Sequence, residues 1–292
     1  MAKSIKLGLP KGSLQESTIR IFKRAGFNVS VSERSYFPKI DDSEIEPILL
    51  RAQEISRYVE EGFLDCGITG EDWIRENGSK VIRVASLIYA KQGFTPVRWV
   101  LAVPEGGRIK KVKDLQGKSI ATELVNVTKD FLRKNKVKAR VEFSWGATEA
   151  KVAAGLVDAV VELTETGSSL KAHKLRQVIT ICESTTQFIA NAKSYKDNWK
   201  KRKISQMATL LVGAVSAENM VGLKMNVQQA RLKKVLSILP ALKNPTISHL
   251  SKKDWLALET VIDEDTVKSL IPRLKEAGAE GIIEYSLNKL VY

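Results

Sequence analysis

At 292 residues the chain has room for about two domains, and its 43% hydrophobic and 27% charged composition is that of a protein able to bury a core. No run approaches the ~20 consecutive apolar residues of a membrane span; the opening MAKSIKLGLPKG reaches Lys, Pro and Gly before a signal-peptide core could build, and reads as the first strand of a cytoplasmic protein. The net charge of +14 raises nucleic acid as a partner, but the basic residues are scattered apart from clusters at 133–140 and 196–203. Zinc-finger spacing, an RNP-type aromatic motif and a helix-turn-helix are all missing, so solvated lysine-rich faces cover most of the charge and phosphate-bearing ligands are left for part of the rest.

In chain order, Ser4 to Leu9 reads as a strand leading through Pro10-Lys11-Gly12 into a helix over Leu14 to Arg24, closed by Gly26. A second helix is expected over Glu46 to Glu61, then a strand over Leu64 to Thr69 and another helix from Gly70 onward. Strands follow at Val97 to Val103, from Lys118 to Ala121 and at Val141 to Phe143, then a helix at Thr148 to Ala154 and a strand at Val157 to Leu163. Strands alternating with helices predict an α/β fold with mainly parallel sheets. "EEGFLDCGITGEDW" and "AAGLVDAVVELTETGSSL" share a plan of glycine, apolar pair, aspartate, strand and Thr/Gly loop, which predicts two similar lobes with a cleft at the carboxyl ends of their strands. Beyond Met207, strands are expected at Thr209 to Ser216, Val221 to Asn226, Thr246 to Leu250, Leu256 to Ile262 and Gly281 to Tyr285. Helices are expected at Gln229 to Leu239 and Asp265 to Ala277, the latter kinked at Pro272. Without the strand at 209 this is the β-α-β-β-α-β order of a ferredoxin-like domain.

Few residues carry chemistry on their own. Cys66 and Cys182 sit in apolar runs without metal-ligand spacing and read as reduced core thiols. His173 and His249 lack HxxxH or HExxH context, which argues against a histidine-built zinc site and a Ser-His-Asp triad. There is no Walker A motif, no GxGxxG and no serine or cysteine with a local base. "VVELTETGSSL", Val160 to Leu170, is richer: a strand ends in Glu162 and runs into Thr166-Gly167-Ser168-Ser169. With a helix beginning at Leu170, the N–H groups of 167–169 would suit a phosphate, and Glu162 would suit sugar hydroxyls or a metal carried by the phosphate. An ordinary Ser/Thr helix cap fits the same letters. "LPKGSLQES" divides in the same way, between a Ser13–Glu16 capping box and an anion site at Lys11-Gly12. Thr69 to Asp72 reads as a helix cap, and Trp73 and Trp145 as packing residues.

"LGLPKGSLQES", "RAQEISRYVEEGFLDCGITGEDW", "PVRWVLAVPE", "IATELVNVT", "FSWGATEAKVAAGLVDAVVELTETGSSL" and "NPTISHLS" together resemble the ATP phosphoribosyltransferase family, over the whole chain and in its long form. Glu149 to Leu170 is the most specific stretch; Val157, Glu162 and Ser169 depart from the usual small residue, Asp and Thr, and Ser13 stands where many members have Arg. The resemblance implies two lobes like type II periplasmic binding proteins, with lobe I at 1–97 and 181–207, lobe II at 98–180, and a ferredoxin-like regulatory domain at 208–292. It implies magnesium-dependent condensation of ATP with phosphoribosyl pyrophosphate (PRPP), inhibition by histidine, and a homo-oligomer moving between dimer and hexamer, with neither nucleic acid nor membrane as partner. PRPP would be held by Glu162, Thr164, Glu165, Thr166, Gly167, Ser168 and Ser169, with Mg²⁺ arriving on PRPP or pyrophosphate near Glu162. ATP or its phosphates would meet Lys11, Gly12, Arg51, Asp65 and Thr69. The histidine pocket would map onto Leu242, Thr246, Val261 and Asn226, the last standing where an Asp would pair with the ligand's amino group. The competing expectation is a two-lobed intracellular sensor that binds a small molecule without chemistry.

Overall fold

The computed structural model describes residues 3–32, 35–89, 95–146, 148–240 and 244–292. The chain divides into two compact units, Met1–Ala208 and Thr209–Tyr292. The first runs β1 (Ile5–Lys11), α1 (Gln15–Ala25), the short pair β2 (Val29–Ser30) and β3 (Lys39–Ile40), then β4 (Ile45–Arg51), α2 (Ala52–Glu61), β5 (Cys66–Gly70), α3 (Glu71–Asn77) and β6 (Ile82–Leu87). It continues through β7 (Val97–Pro104), β8 (Ser119–Thr122), α4 (Val125–Lys134), β9 (Arg140–Phe143), α5 (Thr148–Ala153), β10 (Ala159–Thr164), α6 (Ser168–Ala172), β11 (Leu175–Ser184) and β12 (Thr186–Ala190), and the boundary between the units falls within α7 (Asn198–Ser216). Two five-stranded sheets result, ordered β4-β1-β5-β12-β6 and β11-β7-β10-β8-β9.

The sheets are mixed, not mainly parallel. β1 is parallel to β4 and β5, and β8 to β9 and β10, whereas β12 is antiparallel to β5 and β6, and β7 to β10 and β11. The cause is that the chain crosses between the sheets twice, after β6 and after β11, and each crossing delivers one reversed strand. The expected lobe limits shift accordingly. The β11–β7 ladder continues past two irregularities to Ser184↔Val97, so 97 and 181–184 lie in the second sheet.

Three local expectations change as well. Residues 46–51 form β4 instead of starting a helix: burial alternates along Ile45, Pro47 and Leu49, and Pro47 is tolerated because β4 is an edge strand. The Ser13–Glu16 capping box does not form, since Leu14 is the N-cap of α1 and makes no side-chain cap bond. Residues 209–216 extend α7 instead of forming a strand. A short apolar run cannot separate the two states, and the buried positions Ile204, Met207, Ala208, Leu211 and Ala214 follow a helical period.

Helix α2 comes close to the first sheet over two glycines. A Cβ on Gly67 would lie 2.5 Å from Ile55 Cγ2, and one on Gly8 would lie 2.7 Å from Leu64 Cδ1. The sequence echo is physical. Asp65 donates its N–H to the carbonyl of Lys6 and accepts the N–H of Lys6 at its carboxylate, both at 2.9 Å. Asp158 repeats both bonds on Ser119, at 3.1 and 2.9 Å. Each aspartate thus stitches the start of a central strand to its parallel neighbour, and each adds a lysine, Lys200 and Lys118 respectively.

The second unit comprises β13 (Met220–Gln228), α8 (Leu232–Leu236), β14 (Thr246–His249), β15 (Trp255–Asp263), α9 (Glu264–Ala277) and β16 (Ala279–Ser286). Its antiparallel order β14-β15-β13-β16 is the ferredoxin-like arrangement. Val221, Leu223, Met225 and Val227 of β13 form a core with Val267, Leu270 and Leu274 of α9. Asp263 caps α9 by accepting the N–H of Asp265 at 2.9 Å, and the helix continues through Pro272.

Candidate active site

The first unit carries a cleft at the carboxyl ends of its parallel strands, the ligand-binding edge of α/β sheets. Lys11 ends β1, Arg51 ends β4 and Gly70 ends β5 on one side; Glu123 follows β8 and Glu162 lies near the end of β10 on the other. All line one cavity, together with Ser13, Gln53, Asp72, Glu165 and 184–186. Tyr89, Trp73 and Trp99 give it an aromatic wall, the two indoles meeting edge-on with centroids 6.0 Å apart.

Apart from buried Asp72, the charged side chains that line the cleft divide by lobe. Lys11 and Arg51 are register partners across β1 and β4, so two cations stand side by side. The Lys11 ammonium lies 3.7 Å from the centroid of the Tyr36 ring. Gly12, at φ +106°, lets Arg51 Nη1 come within 3.1 Å of where a Cβ would stand. Opposite are Glu123, Glu162 and Glu165. Burial, then the negative charges of Glu149 and Glu123, push the Glu162 carboxyl from 4.5 up to about 7, although the Leu163 N–H and Thr148 favour the ionised form. Asp72 is also raised by burial, against donors that include Trp99 Nε1–H at 2.6 Å. It fastens α3 of lobe I to a β7 side chain of lobe II, and its own N–H reaches Ser184 Oγ at 3.1 Å, beside the second crossover.

The Thr-Gly-Ser-Ser run lies just past the cavity, with Thr166, Ser168 and Ser169 exposed. The helix begins at Ser168, not Leu170, after Gly167 in the left-handed region at φ +80°. Two of the N–H groups expected to point outward are held inside the loop: Gly167 donates to Thr164 Oγ1 at 2.8 Å, and Ser168 to Thr166 Oγ1 at 3.4 Å. Small hydroxyls two or three residues away compete for those donors. Thr164 is buried and shapes the loop. Asp65 and Thr69 do not line the cavity. Asp65 is engaged by Lys6, Ser194 and Lys200, and buried Thr69 donates its hydroxyl to the carbonyl of Ala52 at 2.6 Å. Both letters serve the strand framework. Trp73 packs against the core of the second sheet, as expected, and also lines the cavity, whereas Trp145 is 81% exposed, edge-on to Phe143.

In the second unit a groove on the open sheet face is lined by residues that include Asn226, Thr246, Lys224, Glu259 and Gly281. Val261 is not among them: it pairs with Gly222, two residues along β15 from Glu259. Leu242 lies outside the described residues. Sequence reasoning missed Gln53, Tyr89, Trp99 and Glu123 in the cleft. Glu123 was within reach, since it follows a strand's carboxyl end; the others carry no local signal.

Fold and cleft together define a two-lobed α/β body with a ligand cleft, followed by a ferredoxin-like domain. The model of the ATP phosphoribosyltransferase family matches residues 51–213, and that of the family's C-terminal domain matches 217–289. ATP phosphoribosyltransferases of Solibacter usitatus and Thermodesulfovibrio yellowstonii are each 59% identical, over 98% of this chain and 99% of theirs, and over 99% of both. A chain of the solved ATP phosphoribosyl transferase (HisG:HisZ) complex from Thermotoga maritima superposes at TM-score 0.61 with 27% identity, over 71% of this chain and 98% of that one. The chain belongs to the ATP phosphoribosyltransferase family of histidine biosynthesis, in the long form with a C-terminal domain.

Proposed function

We propose that the chain transfers the 5-phosphoribosyl group of PRPP to N1 of ATP, giving N1-(5-phosphoribosyl)-ATP and pyrophosphate. The observation that carries this reading is the division of charge across one cleft, with Lys11 and Arg51 facing Glu162 at the strand ends. The N1 lone pair of adenine attacks ribose C1 while the bond from C1 to the pyrophosphate oxygen breaks, and its electrons leave with pyrophosphate. No base must act before attack, so alignment and electrostatics do most of the work. Lys11 and Arg51 balance phosphate charge, on ATP or on the departing pyrophosphate. Glu162 accepts hydrogen bonds from the ribose hydroxyls, and its charge favours the cation developing on the sugar. The exposed hydroxyls of Thr166, Ser168 and Ser169 receive the 5-phosphate, Gly167 leaves room for its approach by lacking a side chain, and Thr164 and Glu165 frame that loop.

Among the described residues, no three His, Cys, Asp or Glu side chains converge as a metal cage. Glu162, crowded by the charges of Glu149 and Glu123, fits a magnesium ion that keeps most of its ligands from phosphate and water. Such an ion, bound with the pyrophosphate, supplies charge neutralisation of the leaving group. Histidine is the proposed regulator, taken by the groove at Asn226 and Thr246. The proposed assembly is a cytoplasmic homo-oligomer of dimers and hexamers.

Mixing the protein with ATP, PRPP and Mg²⁺ should release pyrophosphate in step with N1-modified adenine. A folded chain that binds both ATP and PRPP without turnover would overturn the enzyme reading in favour of a sensor.

A further inference from the structure

Helix α4 opens directly after Glu123 of the cleft and has no side-chain cap of its own. Its N-cap residue is Leu124, which offers no acceptor, and the first N–H groups of a helix need partners from elsewhere. Glu76, on α3 of the other lobe, supplies them. Its Oε1 accepts the Asn126 N–H at 2.9 Å and its Oε2 the Val127 N–H at 3.0 Å. Asn126 Nδ2 donates back to the main-chain carbonyl of Glu76 at 2.9 Å, one of the last α3 carbonyls, which lack intrahelical partners. Each helix end satisfies the other, and the carboxylate meets the positive end of α4. At its other end α3 is tied to lobe II through Asp72 and Trp99.

We propose that this reciprocal cap is a latch between the lobes, and that Glu76 is a positioning residue holding Lys11 and Arg51 opposite Glu162. The inference rests on the reaction proposed above. The buried Asp72–Trp99 bond anchors α3 near the crossovers, whereas the solvent-facing Glu76–Asn126 contact breaks as a unit whenever the lobes part. Losing a charged cap of this kind shifts an opening equilibrium by about tenfold. A substrate that binds only the closed arrangement loses apparent affinity by the same factor.

The test compares full-length wild type with Glu76→Ala and Asn126→Ala, by kinetics in both substrates, calorimetric affinities and amide exchange over 124–130. The expected result for Glu76→Ala is that KM and Kd for both substrates rise about fivefold to tenfold, with kcat within about twofold because saturating substrate restores closure. Exchange at Asn126 and Val127 should quicken about tenfold. Asn126→Ala should show a smaller rise in KM, and the double variant should lose no more than Glu76→Ala alone. A lowered Tm with unchanged KM and Kd would reduce the contact to a helix cap and overturn the latch; so would a fall in kcat at constant KM. A wild type that binds substrates without turnover would overturn the reaction, while the ratio of calorimetric affinities would still decide the latch.

Discussion

Replacing Glu162 by Gln tests the cleft's electrostatics through two readouts of opposite sign. In the folded free protein the Glu162 carboxyl is raised from 4.5 to about 7, by burial and then by Glu149 and Glu123. That difference corresponds to about 3 kcal/mol favouring the protonated form in the fold. Between these two values the native state holds more protons than the unfolded chain. The contribution to stability is therefore fully present below about 4.5 and is lost as pH rises through about 7. Gln abolishes the titration. Glu162→Gln should be more stable than wild type by about 2–3 kcal/mol at pH 8, and the gap should close toward pH 5. Activity should move the other way, because ribose recognition needs the carboxylate: wild-type kcat/KM for PRPP should climb with pH through about 7. The variant should be at least about a hundredfold slower and lack that limb. Denaturant midpoints from pH 5 to 8, set beside kcat/KM over the same range, check both. An activity limb that persists unchanged in Glu162→Gln would belong to PRPP's own phosphate and would refute this reasoning, as would a variant less stable than wild type at pH 8.

Gly167→Val forces a β-branched residue into φ +80° with open space around it, a strain of about 1–2 kcal/mol; calorimetry should show PRPP affinity falling far more than ATP affinity, and equal losses would move the phosphate seat elsewhere. Thr246→Ala should raise the histidine concentration for half-inhibition several-fold while leaving uninhibited turnover unchanged, and unaltered inhibition would remove Thr246 from the proposed regulator's groove. In Asp65, burial opposes ionisation, but Lys200, Ser194 and the Lys6 N–H outweigh it and hold the carboxyl below its usual value. Its stabilisation is therefore present at neutral pH and lost as pH falls through the lowered value. Asp65→Ala should lower stability at pH 7 by about 2 kcal/mol, with kcat/KM intact at low temperature; lost turnover at unchanged Tm would return Asp65 to the site.

Local chemistry was the legible part of this chain. Glycines 26 and 62 do end helices in left-handed caps, and the β-α-β-β-α-β order can be read from 220 onward. The repeated Gly-apolar-apolar-Asp phrase marks two lobes, although its aspartates stitch strands and Asp65 stays out of the cleft. Windows such as 46–51 and 209–216 were ambiguous because a short apolar run fits both periods; only the neighbours, an edge position for β4 and a continuing buried stripe for α7, decide. The cleft was half legible. Lys11, Arg51 and Glu162 end strands and could be found by that rule. Glu76, Tyr89 and Trp99 gain their meaning from partners 50 or more, 71 and 27 residues away, and no window of sequence contains both members.

Strand β12 lies between β5 and β6, antiparallel to both, although the whole of the second sheet separates it from them in the chain. On a ribosome, β5 and β6 emerge with a strand-wide gap between them, and two unpaired edges stand open until residue 190 has cleared the exit tunnel. Such edges invite pairing with other chains. The slow event in building the molecule is therefore expected to be the threading of this late strand into an early sheet, a contact of long sequence separation. A nascent chain stopped before Thr186 would hold one nearly finished lobe beside another missing its centre, and would depend on holdases in a way that a chain released after Ala190 would not.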